Sequence, residues 1–314
     1  LNDAFQPFQL RMDMKILILG AGGIGGYFGA QLLRTGADVT FLLRPGRQAQ
    51  IEQQGLQVET PAGSFVVKPK TVTQDTVRSE YDLIVLTSKA YDLQDALQSL
   101  QGALGRGVVL PFLNGLDHLQ QLDERLGVER VMGGVAHIAA TLTPEGVVRQ
   151  LGDMHRLTVG ARHAEHRQLT QDFVALCQPA SFDKVLADDI EHVLWEKWVF
   201  LAALAGMTTC CRGTVGQIMD TPDGQEVTLA MYQECCRVAQ LSGHRIEGAA
   251  NERAIAMLTT PGSSFAASML RDLLAGGRTE HDHILGAMVR RAQRLGCEVP
   301  LLKLALTHMR VQTA

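Results

Sequence analysis

The 314-residue sequence has no uninterrupted apolar run long enough to span a membrane, so no membrane partner is expected. It has no long basic run, and its net charge is −4, which argues against nucleic acid as a main partner. The residues ahead of Met14 (LNDAFQPFQLRMD) lack the basic, then apolar, then small pattern of a secretory leader. Residues 1–13 read as a disordered extension or an expression remnant, with Met12 or Met14 as candidate natural starts. Six cysteines are present, but no CxxC and no Cys/His spacing typical of zinc, so no metal is expected. Cys177 and Cys297 stand alone, while the adjacent pairs Cys210-Cys211 and Cys235-Cys236 read as small buried apolar residues in helices. His163 with His166, and His281 with His283, are no better as ligand pairs and read as surface residues. Internal repeats and low-complexity linkers are also lacking. The expected compartment is the cytoplasm.

What is present begins at Met14, with MKILILGAGGIGGYFGAQLL. A short apolar run ends in Gly20-Ala21-Gly22-Gly23-Ile24-Gly25, and a helical pattern follows at once. This order of strand, Gly-rich turn and helix is the context that a dinucleotide-binding motif requires. Gly20 permits the tight turn, Gly22 lets a pyrophosphate approach the backbone, and Gly25 lets helix and strand pack closely. The helix start then offers the free N–H groups of Gly23, Ile24 and Gly25 to the phosphates. The next apolar run, Val39 to Leu43, ends not in an acidic residue but in Arg44, with Arg47 nearby. A carboxylate there would bond a ribose 2′-hydroxyl, whereas a guanidinium pairs with a 2′-phosphate, so NADPH is favoured over NADH. Arg44 also reads as an ordinary loop cation.

At 46% hydrophobic residues and this length, two globular domains are expected. The first half alternates apolar runs with helical patterns, which implies a mostly parallel α/β sheet with helices on both faces. Its strand candidates include a hairpin around Pro61-Ala62-Gly63, then Asp82–Thr87, Val108–Phe112, Val131–Ala136, Val147–Leu151 and Leu157–Gly160. Past about residue 186 only helical periodicity remains. The expected helices are 189–204, 224–242, 247–258, 264–275, 280–295 and 301–311, punctuated by Gly243, Gly276-Gly277, Gly296 and Pro300. The expected domains are 14–186 and 187–314, with a cleft between them.

Lys89 and Asn114 each follow a strand run, at the rim where an open α/β sheet binds ligands. Each reads equally well as an ordinary loop or turn residue. Lys197, in LWEKW, sits on a helix so apolar that it must be largely buried; a buried lysine with a lowered pKa can deliver a proton near neutrality. Glu280 reads either as a carboxylate of the site or as a charge in the first turn of a helix.

These motifs in order, GAGGIGG, LLR, LTSKAYD, FLNGLD, MGGVAHIAATLTPEGVV, LWEKW and SMLRDLLAGGRTEHDHILG, resemble those of the ketopantoate reductase family (2-dehydropantoate 2-reductases) from Met14 to near the C-terminus. The resemblance implies an N-terminal Rossmann-type doubly wound sheet, a C-terminal all-helical domain, and NADPH-dependent reduction of a 2-oxo acid at a site between them, most simply 2-dehydropantoate in pantothenate biosynthesis. It also implies a monomer or a homodimer. Lys197 matches the family's general acid, Glu280 a carboxylate that orients substrate and lysine, and Ser268 a substrate-binding hydroxyl. Asn114 and Lys89 match residues at the cofactor and substrate rim, and Arg44 the contact to the 2′-phosphate. At the substrate-binding positions where the family usually has asparagines, four and eight residues after the lysine, this chain has Leu201 and Ala205, and a third such asparagine is missing from 207–216. That implies a greasier pocket, and opens the alternatives of a reductase acting on a more apolar 2-oxo acid or of a non-catalytic NADPH-binding protein. A dehydrogenase working in the oxidising direction fits Arg44 less well.

Overall fold

The computed structural model describes residues 13–313, so the expected N-terminal extension lies, apart from Asp13, outside the described residues. Contacts divide the chain into two compact units. One takes the stretch up to Ser88 with Asp92–Leu113 and Leu122–Ile190; the other takes Lys89–Tyr91, Asn114–Gln121 and everything from Glu191. Two short segments of the N-terminal half thus belong with the helices. The main division falls at Ile190/Glu191.

Among the described residues the first unit holds ten strands: β1 (Lys15–Leu19), β2 (Asp38–Leu42), β3 (Leu56–Thr60), β4 (Gly63–Val67), β5 (Lys70–Val72), β6 (Leu83–Leu86), β7 (Val108–Pro111), β8 (Gly133–Leu142), β9 (Val148–Gly160) and β10 (Asp183–Ala187). Five of them form an all-parallel sheet in the order β5-β2-β1-β6-β7. Its central runs, ILIL and LIVL, are apolar at consecutive positions because both faces are covered. The strand order turns back at β1, so the carboxyl ends of β1 and β6 flank the point where such sheets bind ligands.

The strands after residue 131 do not extend this sheet. Pro144-Glu145-Gly146 closes a hairpin, with Thr143 and Val147 bonded across it and Gly146 at φ +86°, so β8 and β9 run antiparallel. They join a second, mixed sheet in the order β10-β9-β3-β4, with β8 on β9. The runs expected as separate strands at 147–151 and 157–160 are the two ends of β9. The expected hairpin at Pro61–Gly63 is present as β3–β4. Strands β5 and β10 were not expected.

The helix Gly23–Arg34 lies between the two sheets, which explains its glycines. A Cβ on Gly29 would lie 2.5 Å from Phe41 on β2, and one on Gly26 would lie 2.7 Å from Val148 on β9. Glycine's lack of a side chain sets the interlayer spacing here, at some cost in helix propensity.

In the second unit the helix Ile190–Cys211 is hydrophobic on all sides, and Leu194, Trp195, Trp198, Val199, Ala202 and Ala203 are buried. The helices Gly224–Leu241, Gly248–Leu258 and Pro300–Gln312 fall where periodicity places them, while the helix expected at 264–275 begins only at Ser268 and ends at Leu274. Gly243, Gly276 and Gly296 end helices at φ +90°, +65° and +65°. A short helix, Val215–Met219, was missed although Thr214 and Gln217 form a capping box at its start. The pattern at 280–295 resolves into a π-helical turn, Asp282–Gly286, followed by the α-helix Ala287–Arg294. No helix of the described residues is long and apolar enough to cross a membrane.

Two side-chain expectations are corrected. His166 is buried, not at the surface, because it ends the 3-10 turn Ala164–His166 with its Nε2 2.6 Å from the Glu129 carbonyl oxygen. Cys235 is buried as expected, but Cys211 is exposed because it is the last residue of its helix.

The glycine turn gives a contrast to test. A Cβ on Gly25 would collide with the Gly20 carbonyl oxygen and Thr87 Oγ1, whereas a Cβ on Gly22 meets nothing within 4 Å. Gly25→Ala is expected to destabilise the fold by about 1–3 kcal/mol, and Gly22→Ala to leave it unchanged, as read by thermal denaturation.

Candidate active site

The turn after β1 is held from two sides. Gly20 adopts φ +93°, a conformation that other residues rarely take, and Thr87, just past β6, donates its hydroxyl to the Leu19 carbonyl at 2.8 Å. Gly22 is the N-cap of the helix Gly23–Arg34, so Gly23, Ile24 and Gly25 supply its first N–H groups, which have no partners within the helix. Gly23 has a packing reason as well, since its Cβ would lie 2.9 Å from the Ala140 carbonyl oxygen on β8. With open space at Gly22 and a positive helix end behind it, the turn fits a dinucleotide's pyrophosphate.

The two arginines after β2 differ. Arg44 is exposed at the N-cap of the helix Pro45–Gln54. Arg47 is committed to the fold: it donates to the Gly146 carbonyl at 2.8 Å, to Gln50 at 2.6 Å and to the Ala21 carbonyl at 3.2 Å. It pins the β8–β9 hairpin to the glycine turn, which leaves Arg44 as the cation open to a ligand.

The helical unit gathers most of the other residues singled out in the sequence. Glu280 is only 5% exposed. Its Oε1 accepts from the Ala90 backbone N–H at 3.1 Å, and its Oε2 from Lys89 Nζ at 3.2 Å and Asn114 Nδ2 at 3.4 Å. Three donors, one of them charged, stabilise this carboxylate in an interior where an unpaired one would be costly. Lys89 also reaches Asp272 at 3.4 Å. Burial alone would lower the Lys89 pKa, but Glu280 and then Asp272 outweigh it and hold the group above its ordinary value.

Lys197 is half-buried on the helix Ile190–Cys211. Burial pushes its pKa down to about 8, opposed by attraction to Glu280. Glu280 immediately precedes the helix, with its carbonyl accepting from the His283 and Ile284 N–H groups, while its carboxylate is taken by Lys89, Asn114 and the Ala90 N–H of other segments.

Ser268 opens the helix Ser268–Leu274. The residue before it, Ala267, donates its N–H to Thr208 Oγ1 at 3.4 Å, and Thr208 donates to the Leu204 carbonyl at 2.7 Å. Ser268 is thus tied to the lysine helix about three turns beyond Lys197. Leu201 is half-buried one turn after Lys197, while Ala205 is fully buried. Of the two apolar positions, Leu201 is the one with open surface. Phe200 stacks on Phe265 beside it, with ring centroids 6.2 Å apart.

Sequence reading missed the Ala90 N–H, Asp272 and Thr87. A backbone donor carries no residue signature, but Asp272, in the motif SMLRD, and Thr87, at the end of a buried run, could have been marked as polar residues beside expected site residues.

Comparison with known proteins gives the same family along the chain. The model of ketopantoate reductase PanE/ApbA matches residues 16–164, and that of its C-terminal domain matches residues 189–312. The uncharacterised oxidoreductase YkpB of Bacillus subtilis is 30% identical over 302 residues, covering 96% of this chain and 99% of that protein. The 2-dehydropantoate 2-reductase of Halobacterium salinarum is 27% identical over 295 residues, covering 92% and 96%. The ternary structure of D-mandelate dehydrogenase with NADH and anilino(oxo)acetate superposes with a TM-score of 0.86 at 23% identity, covering 96% of this chain and 98% of that one, a likeness of fold. A glycine turn shaped for a dinucleotide, a buried carboxylate with a lysine of lowered pKa, and two family models that match most of the chain lead to one conclusion: this is an oxidoreductase of the ketopantoate reductase PanE/ApbA family.

Proposed function

We propose that the protein reduces a 2-oxo acid to the 2-hydroxy acid with NADPH, with 2-dehydropantoate, named in its relatives, as the first candidate substrate. The observation that carries this reading is the buried Glu280 carboxylate, held by three donors, whose charge acts on the Lys197 ammonium. The residues that would hold the cofactor are the glycine turn, from Gly20 to Gly25, and Arg44 at its 2′-phosphate. A nicotinamide cofactor is supported by the family and by the NADH bound in the D-mandelate dehydrogenase structure. When bound, the reduced nicotinamide supplies a hydride to the keto carbon.

The chain's own residues handle the charge and the proton. As negative charge grows on the keto oxygen, the Lys197 ammonium stabilises it by a charge-assisted hydrogen bond and then transfers a proton from Nζ to that oxygen. The neutral amine regains its proton from solvent. With a pKa of about 8, Lys197 is mostly protonated at neutral pH, yet is a stronger acid than an ordinary lysine. Glu280 keeps it charged and, clamped by Lys89, Asn114 and the Ala90 N–H, keeps its orientation. Ser268 and Asn114 are assigned to the substrate's polar groups.

A second reading follows from the surface beside Lys197. Leu201 and the stacked Phe200 and Phe265 offer apolar contact where a hydroxylated tail would need donors and acceptors. This favours a 2-oxo acid with a branched or aromatic apolar tail. The two readings separate on 2-dehydropantoate against 3,3-dimethyl-2-oxobutanoate, which has the same carbon skeleton and lacks only the 4-hydroxyl. A higher kcat/KM for the first substrate supports the first reading, and the reverse order supports the second.

Three outcomes are expected. Lys197→Ala lowers kcat about 10²–10⁴-fold while NADPH affinity, read by fluorescence titration, stays the same; surviving turnover would remove Lys197 from its role. Because Lys197 acts in its protonated form, reduction should be level below its pKa and fall about tenfold per pH unit above about 8. Arg44→Ala weakens NADPH binding about 10–100-fold and leaves NADH binding unchanged, the loss of a charge-assisted contact to the 2′-phosphate.

A further inference from the structure

Three segments of the helical unit meet at one point, and each carries a site residue one or two positions away. Trp198 follows Lys197, Gly115 follows Asn114, and the π-turn Asp282–Gly286 begins two residues after Glu280. The Trp198 side chain is 1% exposed, and its Nε1–H donates to the Ile284 carbonyl inside the π-turn at 3.1 Å. A Cβ on Gly115 would lie 3.0 Å from the His283 carbonyl oxygen and 3.9 Å from Trp198 Nε1, so the Asn114 loop sits directly against this junction. A π-turn departs from the regular ladder of helix hydrogen bonds, and such turns recur at functional sites. Here a buried side-chain donor takes one of its carbonyls.

We propose that Trp198 is a positioning residue, whose indole N–H, by holding the Ile284 carbonyl, fixes the π-turn and with it the place of Glu280 against Lys197, Asn114 and Lys89. This rests on the reading of Lys197 as proton donor. The solvent side of the same turn is held by ions: Asp282 pairs with Arg290 at 2.9 Å and with Arg310 at 2.8 Å, and Arg290 reaches Asp117 at 3.3 Å. On the inner side the charged groups are Glu280 with Lys89 and Asp272, and the Arg291 guanidinium lies 5.9 Å from the Trp198 ring. His281 and His283 flank Asp282. None of these groups is altered when the indole donor alone is removed, so a change at Lys197 then reports the position of Glu280.

The test replaces Trp198 by β-(3-benzothienyl)alanine, an isostere with sulfur in place of the N–H, alongside Trp198→Phe. The Lys197 titration is read from the carbon-13 shift of its ε-methylene in lysine-labelled protein. The chain has seven lysines, and the signal lost in Lys197→Arg assigns the right one. The isostere is expected to stay folded, to titrate at Lys197 below the parental value because Glu280 supports the ammonium less, and to lose about three- to tenfold in kcat with KM for the 2-oxo acid unchanged. A role in packing alone would lower the melting temperature and leave the titration where it was. A Lys197 titration at the parental value in the folded isostere overturns the proposal, whatever happens to kcat. Turnover that survives Lys197→Ala would instead defeat the proton-donor reading and leave the titration result standing.

Discussion

The helical unit is organised around a carboxylate that could not be buried on its own. Glu280 is almost without solvent, and it is tolerated there because a lysine, an asparagine and a backbone N–H from distant parts of the chain all donate to it. Those donors come from Lys89–Tyr91 and Asn114–Gln121, the two short segments that leave the strand-rich half to join the helices. The cost of burying one charge thus draws the chain across its main division twice. The same charge reaches Lys197, whose pKa is set by a contest between burial and attraction to Glu280. Neither effect alone gives a lysine able to hold a proton at neutral pH and release it readily.

The strand-rich unit meets a different constraint, which is space. Its first helix is pressed between two sheets, and a methyl group at Gly25, Gly26 or Gly29 would collide with a strand, a side chain or the turn itself. The glycines that shape the turn for phosphates and those that allow the sandwich are therefore one continuous run, GAGGIGGYFG. Arg47 completes this unit by bonding the turn to the β8–β9 hairpin, and Arg44, three residues earlier, is left to face outward.

The sequence was most legible where one residue type has one physical use. Apolar runs marked β1, β2, β6 and β7, glycines marked the turn and the helix ends, and an apolar setting marked Lys197 as unusual. It was less legible where partners are distant. The runs around 131–160 read correctly as strands, but nothing local says that they pair with β3 and β10 in a second sheet. Strand β10 carries no such signal because its run, DKVLA, is mostly exposed and opens on two charges, and β5 has only three residues. In the site, Lys89, Asn114 and Glu280 could be marked singly, whereas the Ala90 N–H and the π-turn at Asp282–Gly286 belong to backbone geometry that any sequence could conceal.

The charge of Glu280 rather than its shape is what supports the Lys197 ammonium, so the most direct measurement is the pH profile of kcat for Glu280→Gln. It should be taken with whichever of 2-dehydropantoate and 3,3-dimethyl-2-oxobutanoate the parent protein reduces faster. The amide keeps the size of the side chain and removes the charge that supports the Lys197 ammonium. The variant is expected to stay folded, to lose more than about tenfold in turnover, and to show a descending limb that moves below the parental value of about 8. Full turnover with an unshifted limb would contradict this role of the charge, because the buried carboxylate would then be a structural feature of the fold with no part in the proton's transfer.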